Sequence, residues 1–291
     1  MHVLTRLSRH RSARIGGVCI LIIVLMAIFA PVLAPEGYND QNLIIRLRGP
    51  SAETPLGTDQ LGRHMTSRII WGARISLQIA FMATGIGLFV GGTLGLVAGY
   101  YGGGSDRLIM ALMDVLLAFP GILLALAVVA ILGPGLYNVM IAVGISGIPQ
   151  FARLVRGSTL SIREKEFIEA QHAAGASDAR ILALHILPNI VGPIVVFATL
   201  RVGTSIMQAA GVSFLGLGAQ PPLPDWGGMI SQSRQLLRTA WWTGIFPGVA
   251  ILLTVFGFNL MGDGLRDALD PRVRIAKKGT EAPRESAVTA D

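Results

Sequence analysis

The chain has 291 residues, of which 52% are hydrophobic and only 14% charged, with a mean hydropathy of +0.60. Soluble domains of this size carry about 25% charged residues, so the deficit excludes an ordinary water-facing surface and turns much of this one toward lipid. The net charge of +7 does not imply nucleic acid, because the basic residues cluster beside apolar runs instead of forming one stripe interleaved with aromatics.

A helix crosses the ~30 Å hydrocarbon core in about 20 residues. Residues 1–14 contain Arg6, Arg9, Arg11 and Arg14 and no acid, which predicts a cytoplasmic N-terminal segment. Ile15 to Ala34 is uncharged and reads as the first span. It exceeds the 7–15 apolar residues of a signal peptide, so a retained anchor is expected. The single cysteine, Cys19, lies in it and excludes an intrachain disulfide framework.

Residues 35–74 form an extracytoplasmic segment. Ile75 to Ser105 is uncharged and predicts one span with a glycine-rich exit at Gly102, Gly103 and Gly104. From Leu108 to Ala152 the only charge is Asp114, and the run is too long for one helix. Gly133-Pro134-Gly135 divides it, predicting spans near 108–132 and 136–152. A polar cytoplasmic loop occupies 153–187. The fifth span starts near Pro188 and runs to about Gly211, an outer loop covers 212–238, and the sixth span is Thr239 to Gly262. Residues 273–291 are polar and aperiodic, which predicts a disordered cytoplasmic tail. The expected fold class is all-α polytopic transmembrane, with six spans, a permease-like core over 75–272 and both termini inside. Sixteen of the 24 basic residues then fall in cytoplasmic segments and seven in the two long outer ones, as longer loops translocate despite their charge.

No catalytic constellation is present. The five histidines include no pair at the H-E-x-x-H spacing, and there is no G-x-x-x-x-G-K-[ST] phosphate loop. His64 and Asp59 read as a hydrogen-bonded loop pair in preference to metal ligands. The chain is expected to bind no metal or cofactor, and ATP and Mg would sit on separate subunits.

The informative stretch is the loop. Residues 162–174 predict a short helix too polar to span. Ala170, Ala173 and Ala174 give it a shallow small-residue face that permits close approach. Gly175 ends it, and Ser177 or Asp178 can cap a second helix running to Pro188 at the membrane entry. Such a helix–turn–helix can act as a lever between a soluble motor and the spans, or be an ordinary amphipathic element at the interface.

Glu169-Ala170, then Gly175 five residues on, with Leu187-Pro188 beyond, resembles the Glu-Ala-Ala loop of ABC importer permeases, which in that family docks into a groove on the ATPase subunit. Gln171 stands where a second alanine is usual. The resemblance extends over nearly the whole chain to the dipeptide/oligopeptide branch. It rests on Leu56-Gly57-Thr58-Asp59-Gln60-Leu61-Gly62-Arg63, Gly72-Ala73-Arg74, Asp114 to Pro120, Ser213-Phe214-Leu215-Gly216-Leu217-Gly218, and Asn259 to Arg272. His64 departs from the usual Asp, and Ala209 from the usual Glu. The resemblance implies the second-permease type, working with a homologous permease, two ATP-binding subunits and an extracytoplasmic solute-binding protein. It implies short peptides as solute, with nickel chelates or other small solutes as alternatives. A secondary transporter would show paired broken helices or inverted repeats, and none is visible.

Asp114 and Arg201 are the charged residues expected well inside spans, where such a group costs about 2.5–3.5 kcal/mol on translocon scales. With Asn138, Gln150, Ser205, Gln208 and Asn259 they are candidates for a polar translocation lining, the alternative being polar glue between helices.

Overall fold

The computed structural model describes residues 10–34 and 36–269, and among them the chain is almost entirely helical. Helix α1 (Arg11–Ile28) and a short α2 (Ala30–Leu33) lead into an irregular segment, 36–64. Helix α3 (Met65–Ile86) passes through a π-helical turn (Gly87–Gly91) into α4 (Gly92–Tyr101). Together these make a rod of 37 residues, about 55 Å at 1.5 Å per residue. It starts ten residues before the expected span and carries Arg68 and Arg74 in its first turns. It ends where expected, because Gly102 and Gly103 take φ of +66° and +58°, a conformation that terminates a helix and costs glycine little.

The span expected over 108–132 is broken in two. Helix α5 (Gly103–Leu117) and helix α6 (Gly121–Leu132) meet at 89° across Ala118-Phe119-Pro120. Proline cannot continue a helix whose preceding turn it clashes with, and Pro120 stands at the N-cap of α6. Helix α7 (Leu136–Arg163) outruns its expected end by eleven residues. The polar loop expected over 153–187 holds α8 (Glu166–Ala173) and α9 (Asp178–Ile181). A π-helical turn (Leu182–Ile186) then joins α9 to α10 (Leu187–Phe214) without a break. Pro188 therefore does not separate loop from span. The wider turn before it relaxes the ring's clash with the carbonyl one turn back. Helix α11 (Trp226–Ser233) and α12 (Trp242–Leu269) complete the fold.

Among the described residues four helices are long and apolar enough to cross a membrane, and the α5–α6 pair makes a fifth if counted as one bent span. The apolar part of α1, Ser12–Ile28, is shorter. By length and composition, four or five of the six expected spans are supported among the described residues, and α1 is the helix that falls short. The expected tail, 273–291, lies outside the described residues, as do residues 1–9 of the N-terminal segment.

Small residues set the packing. Gly87, Gly91, Gly95 and Gly99 recur every fourth position, so they share one face of the rod and lie against α7. A Cβ on Gly91 would stand 2.3 Å from the Ile148 carbonyl oxygen, and one on Gly95 would stand 2.3 Å from that of Ala152. Beside this pair, α1 lies on α12, with Gly264 against Ala13. A buried cluster including Ile23, Leu77, Val202, Ile206, Trp226, Trp242 and Phe258 joins α1, α3, α10, α11 and α12. Many large apolar side chains still face outward, among them Val18, Leu21, Phe89, Ile131, Leu252 and Phe256. Such faces suit lipid or another apolar helix.

The connections fall into two groups at opposite ends of the rod. At its start, Gln60 Nε2 donates to the Gln232 carbonyl at 3.0 Å and Trp242 Nε1 to that of Thr58 at 3.0 Å. This ties 36–64 to α11 and to the start of α12. At its finish, Tyr100 reaches Asp178, and Arg156 binds Asp106 through Nε and Nη2 at 2.5 and 2.6 Å.

Candidate functional site

The loop at the finish of the rod presents the face that the sequence singles out. Helix α8 is pinned from below by Ile168, 1% exposed, in a cluster with Tyr100, Val155, Ile181, Ile186 and Ile190. Pinning one side leaves the other free: Glu169, Ala170, Ala173, Ala174 and Gly175 are all exposed, as are Leu187 and Pro188 at the start of α10. The helix expected over 162–174 is interrupted at Glu164-Lys165, so α8 turns away from α7 as a separate unit.

Its end is a Schellman motif. Ala176 N–H donates to the Gln171 carbonyl at 3.1 Å and Gly175 N–H to that of His172 at 3.0 Å, with Gly175 at φ +76°. Ala176 packs against the Ile168 cluster, which anchors the turn. Ser177 occupies the N-cap of α9 but makes no side-chain cap. Asp178 does not cap either, because its Oδ1 accepts the Tyr100 hydroxyl at 2.8 Å. The Tyr100 ring also stacks on His172, with centroids 6.3 Å apart. Tyr100, Ile168 and Asp178 are thus the residues that hold the exposed face to the rod. Reading the loop by itself misses Tyr100, which lies 78 residues from Asp178.

The candidate lining residues divide. Arg201 is 6% exposed, and its Nη2 donates to Gln208 Oε1 at 3.1 Å and reaches Ser146 Oγ at 3.5 Å. Its Nη1 donates to Thr204 Oγ1 at 3.3 Å. Gly147 makes the room, since a Cβ there would lie 3.3 Å from the guanidinium. Among the described residues no carboxylate lies within 4.0 Å of Arg201. Ser205 continues this belt by pairing with Thr84 at 3.2 Å.

The remaining candidates lie elsewhere. Asp114 is not inside the bundle: it sits exposed on α5 and binds Arg153 Nη2 at 2.6 Å. Asn138 Nδ2 donates to the carbonyls of Leu132 and Gly133 and holds the α6–α7 turn. Asn259 is exposed on α12, and Gln150 is half-buried on α7 beside Pro149.

At the other end the expected pairing of His64 with Asp59 is not formed. His64 Nε2 lies 3.4 Å from Glu36 Oε2, while Asp59 binds Arg63 at 2.7 Å. Among the described residues no three metal-ligating side chains come together. Ala209 is buried in an apolar cluster with Ala125, Val129, Val139 and Val212, where a carboxylate would be desolvated.

Comparison with known proteins matches residues 91–275 to the model described as "Binding-protein-dependent transport system inner membrane component". Residues 2–50 match "N-terminal TM domain of oligopeptide transport permease C". The dipeptide transport system permease protein DppC of Alkalihalophilus pseudofirmus is 52% identical over 92% of this chain and 88% of its own length. The glutathione transport system permease proteins GsiD of Pectobacterium atrosepticum and of Escherichia coli O157:H7 are 50% and 52% identical over 92% of this chain, covering 90% and 89% of theirs. A chain solved in inward-facing conformations of the MetNI methionine ABC transporter superposes with a TM-score of 0.60 at 21% identity, over 71% of this chain and 98% of that one.

Proposed function

Because the chain belongs to the family of binding-protein-dependent transport system inner membrane components, we propose that it is one of two homologous permease subunits of an ATP-binding-cassette importer for short peptides. The solute class follows the relatives, which are named for dipeptide and for glutathione transport.

In this reading α1, the α3–α4 rod, the bent α5–α6 pair, α7, α9–α10 and α12 each pass the bilayer once. Six passes return the chain to its starting side, which is supported by His10 lying 4.0 Å from Asp267. The excess of basic residues near that end argues that it is cytoplasmic. The passes form a pathway with the second permease, the binding protein delivers solute from outside, and two ATP-binding subunits carry ATP and Mg. Helix α8 is the element they move. The observation that carries the proposal is the exposed Ala170-Ala173-Ala174 face on a helix that Ile168 and Tyr100 fasten to the rod. A surface without long side chains admits a groove wall, and a fastened helix transmits the push. ATP shifts the pathway between inward and outward openings only if the motor's closed state fits α8 differently from its open state.

The test is reconstitution of both permeases, the ATPases and the binding protein in proteoliposomes. Labelled di- and oligopeptides should enter with ATP hydrolysis stimulated by the loaded binding protein, and this chain alone should hydrolyse none. Uptake of nickel chelates without peptide would overturn the solute, and uptake without any ATPase would overturn the importer reading.

A further inference from the structure

Arg201 stands in the apolar stretch of α10 that is long enough to cross a membrane, and its neighbours offer it no negative charge. A guanidinium carries five N–H groups. Among the described residues they meet only the neutral oxygens of Gln208, Ser146 and Thr204. The helices that enclose it, α7 and α10, contain no Asp or Glu along their whole length, and neither does α6. The two acids of α5 are engaged elsewhere, Asp114 by Arg153 and Asp106 by Arg156. A cation withdrawn from water without a counter-charge is costly, and at membrane depth bulk water does not screen it.

Gln208 adds to the imbalance. Its Oε1 is taken by Arg201, while its Nε2 donates to no acceptor among the described residues. That Nε2 lies beside the start of α6, where a Cβ on Gly121 would stand 2.9 Å from it. Helix α6 begins at the 89° break, so the N–H groups of Gly121, Ile122 and Leu123 have no preceding turn to accept them. The positive end of the helix dipole therefore faces the same place. Thr204 is exposed and Gln208 half-buried, so the cluster reaches the open face of α10. Phe119 and Pro120 in the break are exposed as well. Non-helical backbone at membrane depth is tolerated where it lines a water-filled cavity, not where it meets lipid.

We propose that Arg201, with Gln208 and the start of α6, forms an anion subsite inside the translocation pathway that takes the C-terminal carboxylate of a short peptide in transit. A carboxylate supplies the missing charge and accepts from the N–H groups left free, and its hydrogen bonds to a guanidinium are of the strong, charge-assisted kind. The inference rests on the peptide-importer reading for its ligand and on the uncompensated guanidinium for its chemistry.

Gln208→Glu tests it with little change of shape. The substitution puts a carboxylate where Gln208 Oε1 lies 3.1 Å from Arg201, so the chain itself then supplies the anion. Binding of the dipeptide Ala-Ala and of its C-terminal amide is measured by calorimetry on the assembled permeases and ATPases in nanodiscs. The binding protein is left out, because its own selectivity would mask that of the pathway. The wild-type complex should bind Ala-Ala at least tenfold more tightly than the amide. Both Gln208→Glu and Arg201→Met should reduce that ratio to within twofold of unity. The ratio is read within one preparation, so a general loss of stability does not imitate the effect. Equal binding of acid and amide by the wild type, binding of neither, or an acid preference that survives either substitution would overturn the subsite. Peptide uptake by the full wild-type complex is scored separately. Uptake without an acid preference in the pathway sinks this inference alone, whereas no uptake of any peptide sinks the importer reading.

Discussion

Substitution of Gly175 isolates the conformation of the α8 turn from its packing. The residue holds φ at +76°, and a Cβ built there meets nothing within 4 Å, so a new side chain incurs no clash with its neighbours and is penalised only through the backbone. The left-handed conformation costs an L-residue roughly 1–2 kcal/mol, a factor of about 5–30 in a two-state ratio. If only the Schellman geometry presents α8 correctly, the apparent affinity of the ATPase for the loop falls by the populated fraction. Alanine should therefore lower the apparent affinity by about fivefold or more, and β-branched valine should lower it further. Asparagine, which visits this conformation routinely, should stay close to wild type. The assay is ATP hydrolysis stimulated by loaded binding protein, titrated against the ATPase subunit, with membrane insertion checked in parallel. Valine indistinguishable from glycine, or asparagine as damaged as valine, would refute the reasoning.

Ile168→Ala removes the anchor of α8 from a site 1% exposed. Buried truncations of this kind cost about 2–5 kcal/mol, so stimulated hydrolysis should collapse while the spans still insert, and protease cleavage at Lys165 should accelerate. Tyr100→Phe deletes only the hydroxyl that binds Asp178, about 0.5–1.5 kcal/mol net, and should give a milder form of the same defect. Gly95→Ala places a Cβ 2.3 Å from the Ala152 carbonyl, and overpacking of about 1–3 kcal/mol should lower the thermal midpoint of the purified complex more than the same change at Gly85, where the space is open. Single cysteines at the exposed positions Ala52 and Ala174 should react with impermeant thiol reagent from opposite faces of the membrane, and labelling from the same face would sink the topology.

The sequence by itself determined the class of the molecule, because apolar run length, missing charge and glycine–proline punctuation act locally and need no partner. It also marked α8 and its end at Gly175, since a small-residue face and a left-handed terminus are written in adjacent residues. Two further features were equally legible: the four-residue glycine period of 87–99, which packs the rod on α7, and Pro120-Gly121, which carries the same punctuation as Gly133-Pro134-Gly135 and breaks α5 from α6. The tertiary structure alone decided which polar residues meet. Asp114 pairs with Arg153 on an exposed helix, Arg201 takes neutral partners from α7 and α10, and Tyr100 fastens a loop 78 residues away. Buried polar groups must find partners wherever the chain brings them, and that choice depends on which helices pack together. For the same reason the lack of a carboxylate beside Arg201 among the described residues becomes visible only once α7 and α10 close around it.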